Sequence, residues 1–242
     1  MTNTEITTKE IKIPSHDGSA FMAYVAMPED ASAENPYPAI LMIQEIFGVN
    51  SEMRKKCDEH AAQGYIAICP DLFWRMQRNV QLNDNDEQQL ERAFKLFGEF
   101  AFDLGIEDLN TTVGYARNMT ECNEKIGSIG YCLGGHLSYR LAASEDLDAA
   151  VSYYGVNIHA YIGEMKAIQK PILFHIASKD EFVDKDAQKI ITSEASKYDH
   201  VITDIYEGQD HAFTRYGGAH YNEQAANLAN TRTSEFLKRY LK

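Results

Sequence analysis

A cysteine flanked by glycines is the feature of this sequence whose spacing most clearly indicates catalysis. Residues 130–134 read Gly-Tyr-Cys-Leu-Gly and lie between an apolar segment and an amphipathic one. This spacing is typical of a nucleophile elbow, in which small residues let a strand and a helix approach closely. A cysteine at a helix N-terminus also feels the positive end of the helix dipole, which favours the thiolate. We predict that Cys132 is a nucleophile; the alternative is a buried structural cysteine.

An acid and a base follow Cys132 along the chain. Asp180 comes just after one apolar segment, and His211 comes just after the last. A cysteine nucleophile needs a histidine to take its proton and a carboxylate to fix the imidazole tautomer. Taken singly, each residue fits another role equally well: Asp180 fits a helix cap, and His211 fits a surface loop. We predict a triad of Cys132, Asp180 and His211, and rank Asp210 below Asp180 because it is adjacent to the histidine.

Acyl chemistry also needs backbone N–H groups that point at the developing oxyanion. In an elbow, one comes from the residue after the nucleophile, here Leu133, and the other from the loop after the third strand, here at Ile46. Phe47 and Trp74 fall just beyond predicted strand ends. We predict that these two aromatic residues border the substrate pocket.

Alternating apolar and amphipathic segments must position these residues. Two short segments joined by an Asp-Gly turn, Glu10–Ile13 and Ala20–Ala26, predict an antiparallel hairpin. The apolar runs that follow predict strands at Ala39–Ile43, Tyr65–Cys69, Ile126–Tyr131, Ala149–Tyr154, Ile172–Ala177 and Val201–Tyr206. The amphipathic stretches predict helices at Ser51–Gln63, Glu87–Phe102, Ile106–Asn118, Leu133–Ser144, Lys185–Lys197 and Asn222–Leu241.

Near-continuous apolar strands separated by helices indicate a mostly parallel sheet with helices on both faces. Ligands bind beyond the carboxyl ends of the strands in such a sheet, which is where Cys132, Asp180 and His211 fall. We expect a single α/β-hydrolase domain over residues 1–242, with about eight strands and an N-terminal antiparallel hairpin.

Composition argues against several other classes of protein. The chain has 23 Lys and Arg against 36 Asp and Glu, a net charge of −13, which repels nucleic acids and acidic membranes. It has neither an apolar run of about 18 residues nor the basic start of a signal peptide, so we expect a soluble cytoplasmic protein. The four cysteines and eight histidines show no metal-ligand spacing, and we expect neither a metal nor a cofactor.

Together, the Gln44–Gly48 loop, the Gly130–Gly135 elbow, Asp180 and His211 resemble the dienelactone hydrolase family, also called carboxymethylenebutenolidases. The resemblance covers nearly the whole chain. It implies a monomeric, cofactor-free enzyme of aromatic-compound breakdown that opens an unsaturated lactone bearing a carboxylate. It also implies that Glu45 contacts the resting thiol and moves away when substrate binds. A carboxylate beside a cysteine opposes thiolate formation, so its movement would release the nucleophile.

The resemblance further implies two arginines that hold the substrate carboxylate. Arg215 matches one of them, and a guanidinium group suits a bidentate grip on a carboxylate. At the other position this chain has Leu90, and the nearby Arg92 lies about 200° around the helix. The missing charge would then have to come from Arg75 or Arg78.

Several other functions remain open. Leu90 favours a generic cysteine-dependent esterase that acts on neutral esters. A thiol-exchange protein would need a resolving cysteine, and Cys122 lies roughly 20 Å from Cys132 along the predicted strand, beyond the reach of a disulfide. Ser128 and Ser138 lack the spacing of an elbow nucleophile. A catalytically silent binding module would keep thiol reactivity without ester hydrolysis.

Overall fold

The predicted α/β-hydrolase architecture is confirmed by the computed structural model, which describes residues 4–144 and 147–242. Within those residues, eight strands form a mostly parallel sheet accompanied by six α-helices. The chain divides into two compact units, Met1–Gly127 and Ser128–Lys242. The division falls inside one strand, and the prediction of a single domain stays a prediction.

The first unit begins with the predicted hairpin. Strands β1 (Ile6–Pro14) and β2 (Ala20–Pro28) pair antiparallel along their whole length. Gly18 adopts a φ of 83° in the connecting turn, a conformation that glycine tolerates without steric cost. Next to β2 lies β4 (Ile66–Pro70), again antiparallel, and β4 pairs parallel with β3 (Tyr37–Ile43). The order β1-β2-β4-β3 places antiparallel pairing only at the N-terminal strands.

Three helices accompany these strands. Helix α1 (Ser51–Ala61) starts after Asn50, whose side chain accepts a hydrogen bond from the Met53 N–H group. Helix α2 (Glu87–Glu99) ends three residues before the predicted boundary, and α3 (Phe102–Arg117) starts almost at once. Phe100 separates the two helices in an extended conformation. Its ring packs edge-on against Phe73, 5.7 Å between centroids, so burial of this side chain accounts for the break.

The second unit carries the parallel half of the sheet and begins within β5 (Cys122–Tyr131). Its other strands are β6 (Ala149–Tyr153), β7 (Ile172–Ala177) and β8 (Val201–Tyr206), which pair parallel in that order. Strands β6 and β7 are buried along their whole length and mostly apolar, as expected of strands covered on both faces, whereas β8 is buried only at its two ends.

Two α-helices and one 3₁₀ segment connect these strands, and a third α-helix follows β8. Helix α4 (Leu133–Ser144) packs on β6, and α6 (Glu223–Leu241) packs on β6 and β7. Helix α5 (Lys185–Ala195) contacts β8 and the 3₁₀ segment Ile158–Ala167, which the sequence patterns do not predict.

A buried hydrogen-bond network joins α6 to the strands of this unit. The Thr233 hydroxyl lies 2.6 Å from the Tyr153 hydroxyl and 2.8 Å from His175 Nε2. The other ring nitrogen of His175, Nδ1, lies 2.8 Å from the Tyr206 hydroxyl. Burial lowers the pKa of His175 to about 3, so this imidazole stays neutral. Each polar group therefore has a neutral partner away from water, as burial requires.

Loss of the Thr233 hydroxyl should destabilise the fold. In Thr233→Val the His175 ring and the Tyr153 hydroxyl lose a shared partner inside the core, and we expect a loss of about 1–3 kcal/mol in the free energy of unfolding. Urea unfolding would measure the change. The control is Thr231→Val on the same helix, whose exposed hydroxyl donates to the Asn227 carbonyl of its own helix. Equal stability of both variants would contradict this role of the network.

Candidate active site

The elbow forms where β5 meets α4. Cys132 lies between Tyr131, the last residue of β5, and Leu133, the first residue of α4. Its φ of 55° is in the left-handed region, which non-glycine residues seldom adopt. A Cβ atom built on Gly130 would lie 1.8 Å from the Gly134 carbonyl oxygen, so glycine is required there. The close approach predicted from the sequence is therefore present.

Backbone hydrogen bonds hold the elbow on β6 and the segment after it. The Cys132 N–H group donates to the Tyr153 carbonyl at 3.0 Å. The Cys132 carbonyl accepts from the His136 and Val156 N–H groups at 3.2 and 3.3 Å. These bonds fix the backbone of Cys132, and the residue is only 7% exposed.

Asp180 and His211 come together as the sequence predicts. Asp180 Oδ2 lies 2.8 Å from His211 Nδ1, and both side chains are almost fully buried. The second oxygen, Oδ1, accepts hydrogen bonds from the Phe182 and Val183 N–H groups at 2.9 and 3.2 Å. One oxygen thus secures the carboxylate to its own loop, and the other fixes the imidazole with Nε2 left for proton exchange.

Asp210, the competing acid, is engaged differently. Its Oδ1 accepts a 2.7 Å hydrogen bond from the backbone N–H of His211 and lies 3.8 Å from His220 Nδ1. These contacts turn it away from the imidazole of His211. The geometry therefore favours Asp180 as the partner of the ring.

The electrostatics of His211 reflect both of its partners. Burial alone would lower the pKa of His211, but the charge of Cys132 and the hydrogen bond with Asp180 outweigh burial and raise it to about 10. Its Nε2 atom is buried and makes no hydrogen bond of good geometry within the described residues. An imidazolium is thus favoured when Cys132 is ionised, so the ring of His211 is suited to hold a proton that the thiol gives up.

Two aromatic residues that the sequence analysis did not single out flank His211. The Tyr154 ring lies 5.0 Å from the His211 ring, and the Phe182 ring lies 4.8 Å from it, both edge-on. Tyr154 has a left-handed φ of 38°, which a bulky residue seldom adopts, and its hydroxyl lies 2.8 Å from that of Thr214. In the sequence, Phe182 is marked only by its proximity to Asp180, and Tyr154 only by its place at the end of a predicted strand.

The predicted residues of the Gln44–Gly48 loop lie in the first unit, and all of them are buried. The Gln44 side chain accepts a hydrogen bond from the Leu72 N–H group at 3.1 Å, and the Phe47 carbonyl accepts one from Leu82 at 2.9 Å. These bonds give the loop a defined shape. The roles of Glu45, Ile46 and Phe47 stay predictions.

Trp74 and Arg75 are held by a buried carboxylate of the same unit. Asp108 accepts hydrogen bonds from Trp74 Nε1 and from Arg75 Nη2, each at 2.8 Å. The other terminal nitrogen of Arg75 pairs with Asp17 at 2.6 Å. Because its guanidinium group already binds two carboxylates, Arg75 is poorly suited to hold a substrate carboxylate as well.

The remaining predicted residues occupy well-defined positions. Leu133 is buried at the first position of α4, where backbone N–H groups have no partner within the helix. Arg215 is half-buried in the turn that follows His211, and its N–H group donates to the Ala212 carbonyl at 2.9 Å. Arg92 bonds the Gln77 side chain in the first unit.

Other nucleophiles have no comparable environment. The hydroxyls of Ser128 and Ser138 lie 2.8 Å apart, are fully buried and bond each other. All four cysteines are buried free thiols. Burial and the neighbouring Cys69 raise the pKa of Cys57, so this thiol is unreactive.

Residues 4–144 and 147–242 show neither a metal-binding cluster nor a membrane-spanning helix. In that part of the chain, no three His, Cys, Asp or Glu side chains are grouped so that they could hold a metal ion. None of the helices described there combines the length and the apolar character needed to cross a bilayer.

The fold and the strained elbow place the chain among the α/β-hydrolases. The model of the Dienelactone hydrolase family matches residues 21–241. A carboxymethylenebutenolidase of Pseudomonas putida is 39% identical over 95% of this chain and 96% of its own length, and one of Pseudomonas sp. strain P51 is 33% identical over 96% and 95%. The dienelactone hydrolase structure from Anabaena variabilis superposes with a TM-score of 0.73 at 14% identity, covering 98% of this chain and 99% of its own, which shows the shared fold. This protein belongs to the dienelactone hydrolase family and is a hydrolase that acts on ester bonds.

The elbow glycine allows a direct test of the steric argument. We expect Gly130→Ala to lose about 1–3 kcal/mol of stability, because its Cβ atom would collide with backbone that cannot move independently. Thermal and urea unfolding would measure the loss. In the control, Gly114→Ala, a Cβ atom in helix α3 meets nothing within 4 Å, and we expect unchanged or increased stability. A stable Gly130→Ala protein would contradict the close approach.

Proposed function

We propose that this protein opens a small, carboxylate-bearing lactone of the dienelactone type, with Cys132 as nucleophile, His211 as base and Asp180 as the orienting acid. The observation that carries the proposal is the 2.8 Å Asp180–His211 contact, made by a histidine whose pKa is raised by Cys132. The substrate class is supported by the relatives in Pseudomonas, which are carboxymethylenebutenolidases.

The first half of the reaction forms a thioester. His211 Nε2 takes the proton of the Cys132 thiol, and Sγ attacks the lactone carbonyl. The backbone N–H groups of Leu133 and Ile46 are the proposed donors to the oxyanion. When the tetrahedral intermediate collapses, the ring C–O bond breaks, and the leaving oxygen takes the proton from His211.

The second half releases the product. His211, neutral again, removes a proton from a water molecule as its oxygen attacks the thioester carbonyl. The C–S bond then breaks, and the sulfur recovers a proton from His211. The net reaction adds one water across the ester bond. Asp180 keeps the same ring tautomer through both halves because its Oδ2 atom remains on Nδ1.

Substrate recognition is assigned to Arg215. It follows His211 closely in the chain and is half-buried, a setting in which a guanidinium group binds a carboxylate strongly. Glu45, whose side chain is buried, is the proposed gate, a role that the family resemblance implies. A carboxylate that contacts a resting thiol opposes thiolate formation until substrate displaces it.

A second candidate function is hydrolysis of neutral esters by the same triad. Leu90 favours it, because the family resemblance implies an arginine at that position. The nearby Arg92 bonds the Gln77 side chain. Of the two arginines that could replace the missing charge, Arg75 binds two carboxylates and Arg78 donates to the Ala20 carbonyl. On this reading Arg215 is dispensable.

The acid assignment can be tested with two neighbouring aspartates. Asp180→Asn should leave the fold intact and lower kcat by about 10⁴-fold, because the amide favours the wrong imidazole tautomer. Asp210→Asn is the matched control. Its side-chain oxygen still accepts from the His211 N–H group, so we expect kcat close to that of the unaltered protein. Steady-state rates and circular dichroism of both variants decide the assignment, and the reverse pattern would move the acid role to Asp210.

The substrate class can be tested by comparing rates on a dienelactone and on neutral p-nitrophenyl acetate. We expect a higher kcat/KM for the lactone, and Arg215→Gln should lower it by about 10- to 100-fold while sparing the neutral ester. Cys132→Ala should abolish both activities, and Cys122→Ala should retain them.

Each other outcome has a definite meaning. Preference for the neutral ester with Arg215 dispensable would establish the cysteine esterase. Turnover by Cys132→Ala would overturn the proposed mechanism for either substrate.

A further inference from the structure

The loops that carry the acid and the base are bonded directly to each other. The acid loop, residues 178–184, follows β7, and the base loop, residues 207–212, follows β8. The Lys179 N–H group donates to the Gln209 carbonyl at 2.8 Å. The Ser178 hydroxyl accepts from the Gly208 N–H group, also at 2.8 Å. Ser178 is buried, so this side chain is an internal link between the two loops.

A second buried side chain, that of Gln188, joins the two ends of the acid loop. Gln188, in the first turn of α5, donates both amide hydrogens to backbone carbonyls. Its Nε2 atom lies 3.2 Å from the Ala177 carbonyl and 2.7 Å from the Val183 carbonyl. Ala177 precedes the acid loop and Val183 lies near its end, so one side chain joins the two ends of the segment that carries Asp180.

A small cavity borders the acid loop. It has a volume of about 10 Å³ and is lined by Asp180, Val183 and Ser152 among others, and the buried Ser152 hydroxyl has no hydrogen-bond partner within the described residues. The hydrogen bonds of Ser178 and Gln188 therefore hold the acid loop at a place where it also borders unfilled space.

We propose that Ser178 and Gln188 are positioning residues that hold Asp180 against His211. The proposal rests on the function assigned above, because positioning matters for rate only if Asp180 and His211 form the acid–base pair. Neither side chain touches the imidazole. Both act through the acid loop, and a displacement of about 1 Å at such a contact can cost about 100-fold in rate.

The position of Asp180 affects a quantity that can be measured without turnover, namely the pKa of His211. Asp180 is one of the two groups that raise the pKa of His211. If the acid loop relaxes and Asp180 moves away, the imidazolium loses a stabilising partner and its pKa falls. A general loss of stability elsewhere in α5 leaves that contact, and therefore that pKa, unchanged.

The experiment compares Gln188→Leu and Ser178→Ala with Lys189→Gly. Lys189 is the exposed neighbour of Gln188, so its replacement weakens the same helix without touching the acid loop. The pKa of His211 is read without substrate from NMR titration of ¹³C-labelled histidine, with the signal assigned by its absence in His211→Gln. The kcat and KM for ester hydrolysis are measured separately.

We expect Gln188→Leu and Ser178→Ala to lower the pKa of His211 by about one unit and kcat by about 10-fold, with KM nearly unchanged. Lys189→Gly should change neither. An unchanged pKa in both loop variants, or an equal shift in Lys189→Gly, would overturn the proposal. If Gln188→Leu does not fold, Ser178→Ala decides alone. A lowered pKa combined with full activity of Asp180→Asn would refute the assigned triad and leave the positioning intact.

Discussion

The close approach of β5 and α4 at Gly130 is the constraint on which the site depends. With the Gly130 backbone against the Gly134 carbonyl, the chain has a single residue in which to turn from strand to helix. That residue is Cys132, and the turn forces its left-handed φ. Strain of this kind costs roughly 1–3 kcal/mol and persists only where surrounding bonds hold it. The hydrogen bonds of Cys132 to Tyr153 and Val156 supply that support.

Asp180 and His211 are held by a different kind of restraint. Buried hydrogen bonds run from Asp180 into its own loop, and from that loop into α5 and into the loop after β8. The backbone of Cys132 is thus fixed at a close strand–helix approach, whereas the loop of Asp180 is held by side-chain hydrogen bonds that a single substitution can remove. This difference makes the acid loop the more adjustable part of the arrangement.

Local patterns predicted much of this site, because its chemistry follows strand ends. The glycine spacing around Cys132 predicts a close approach of a strand and a helix. The order of Asp180 and His211 along the chain can be read from the sequence without knowing any distance between them. The positions of Tyr154 at a strand end and of Phe182 near Asp180 did not identify them, since their contact with His211 arises only when separate segments fold together. The same holds for Ser178 and Gln188.

The fold shows a similar division between local and tertiary effects. Apolar runs predicted the buried strands, but β1 begins at Ile6 rather than Glu10, because its exposed residues are held by backbone pairing with β2. The 3₁₀ segment Ile158–Ala167 follows a left-handed Asn157 and is kinked at Tyr161, so it has no amphipathic period to detect.

Two buried histidines of the second unit show why residue type and burial do not identify a base. His175 faces the hydroxyls of Tyr206 and Thr233, and desolvation lowers its pKa to about 3. His211 is buried almost as deeply, but Asp180 and Cys132 reverse the sign of the shift and raise its pKa to about 10. The first histidine is a neutral structural group, and the second is able to carry charge in the core. Because buried ion pairs contribute little net stability, the pair at His211 is better explained by chemistry than by folding, whereas the neutral network around Thr233 serves the fold.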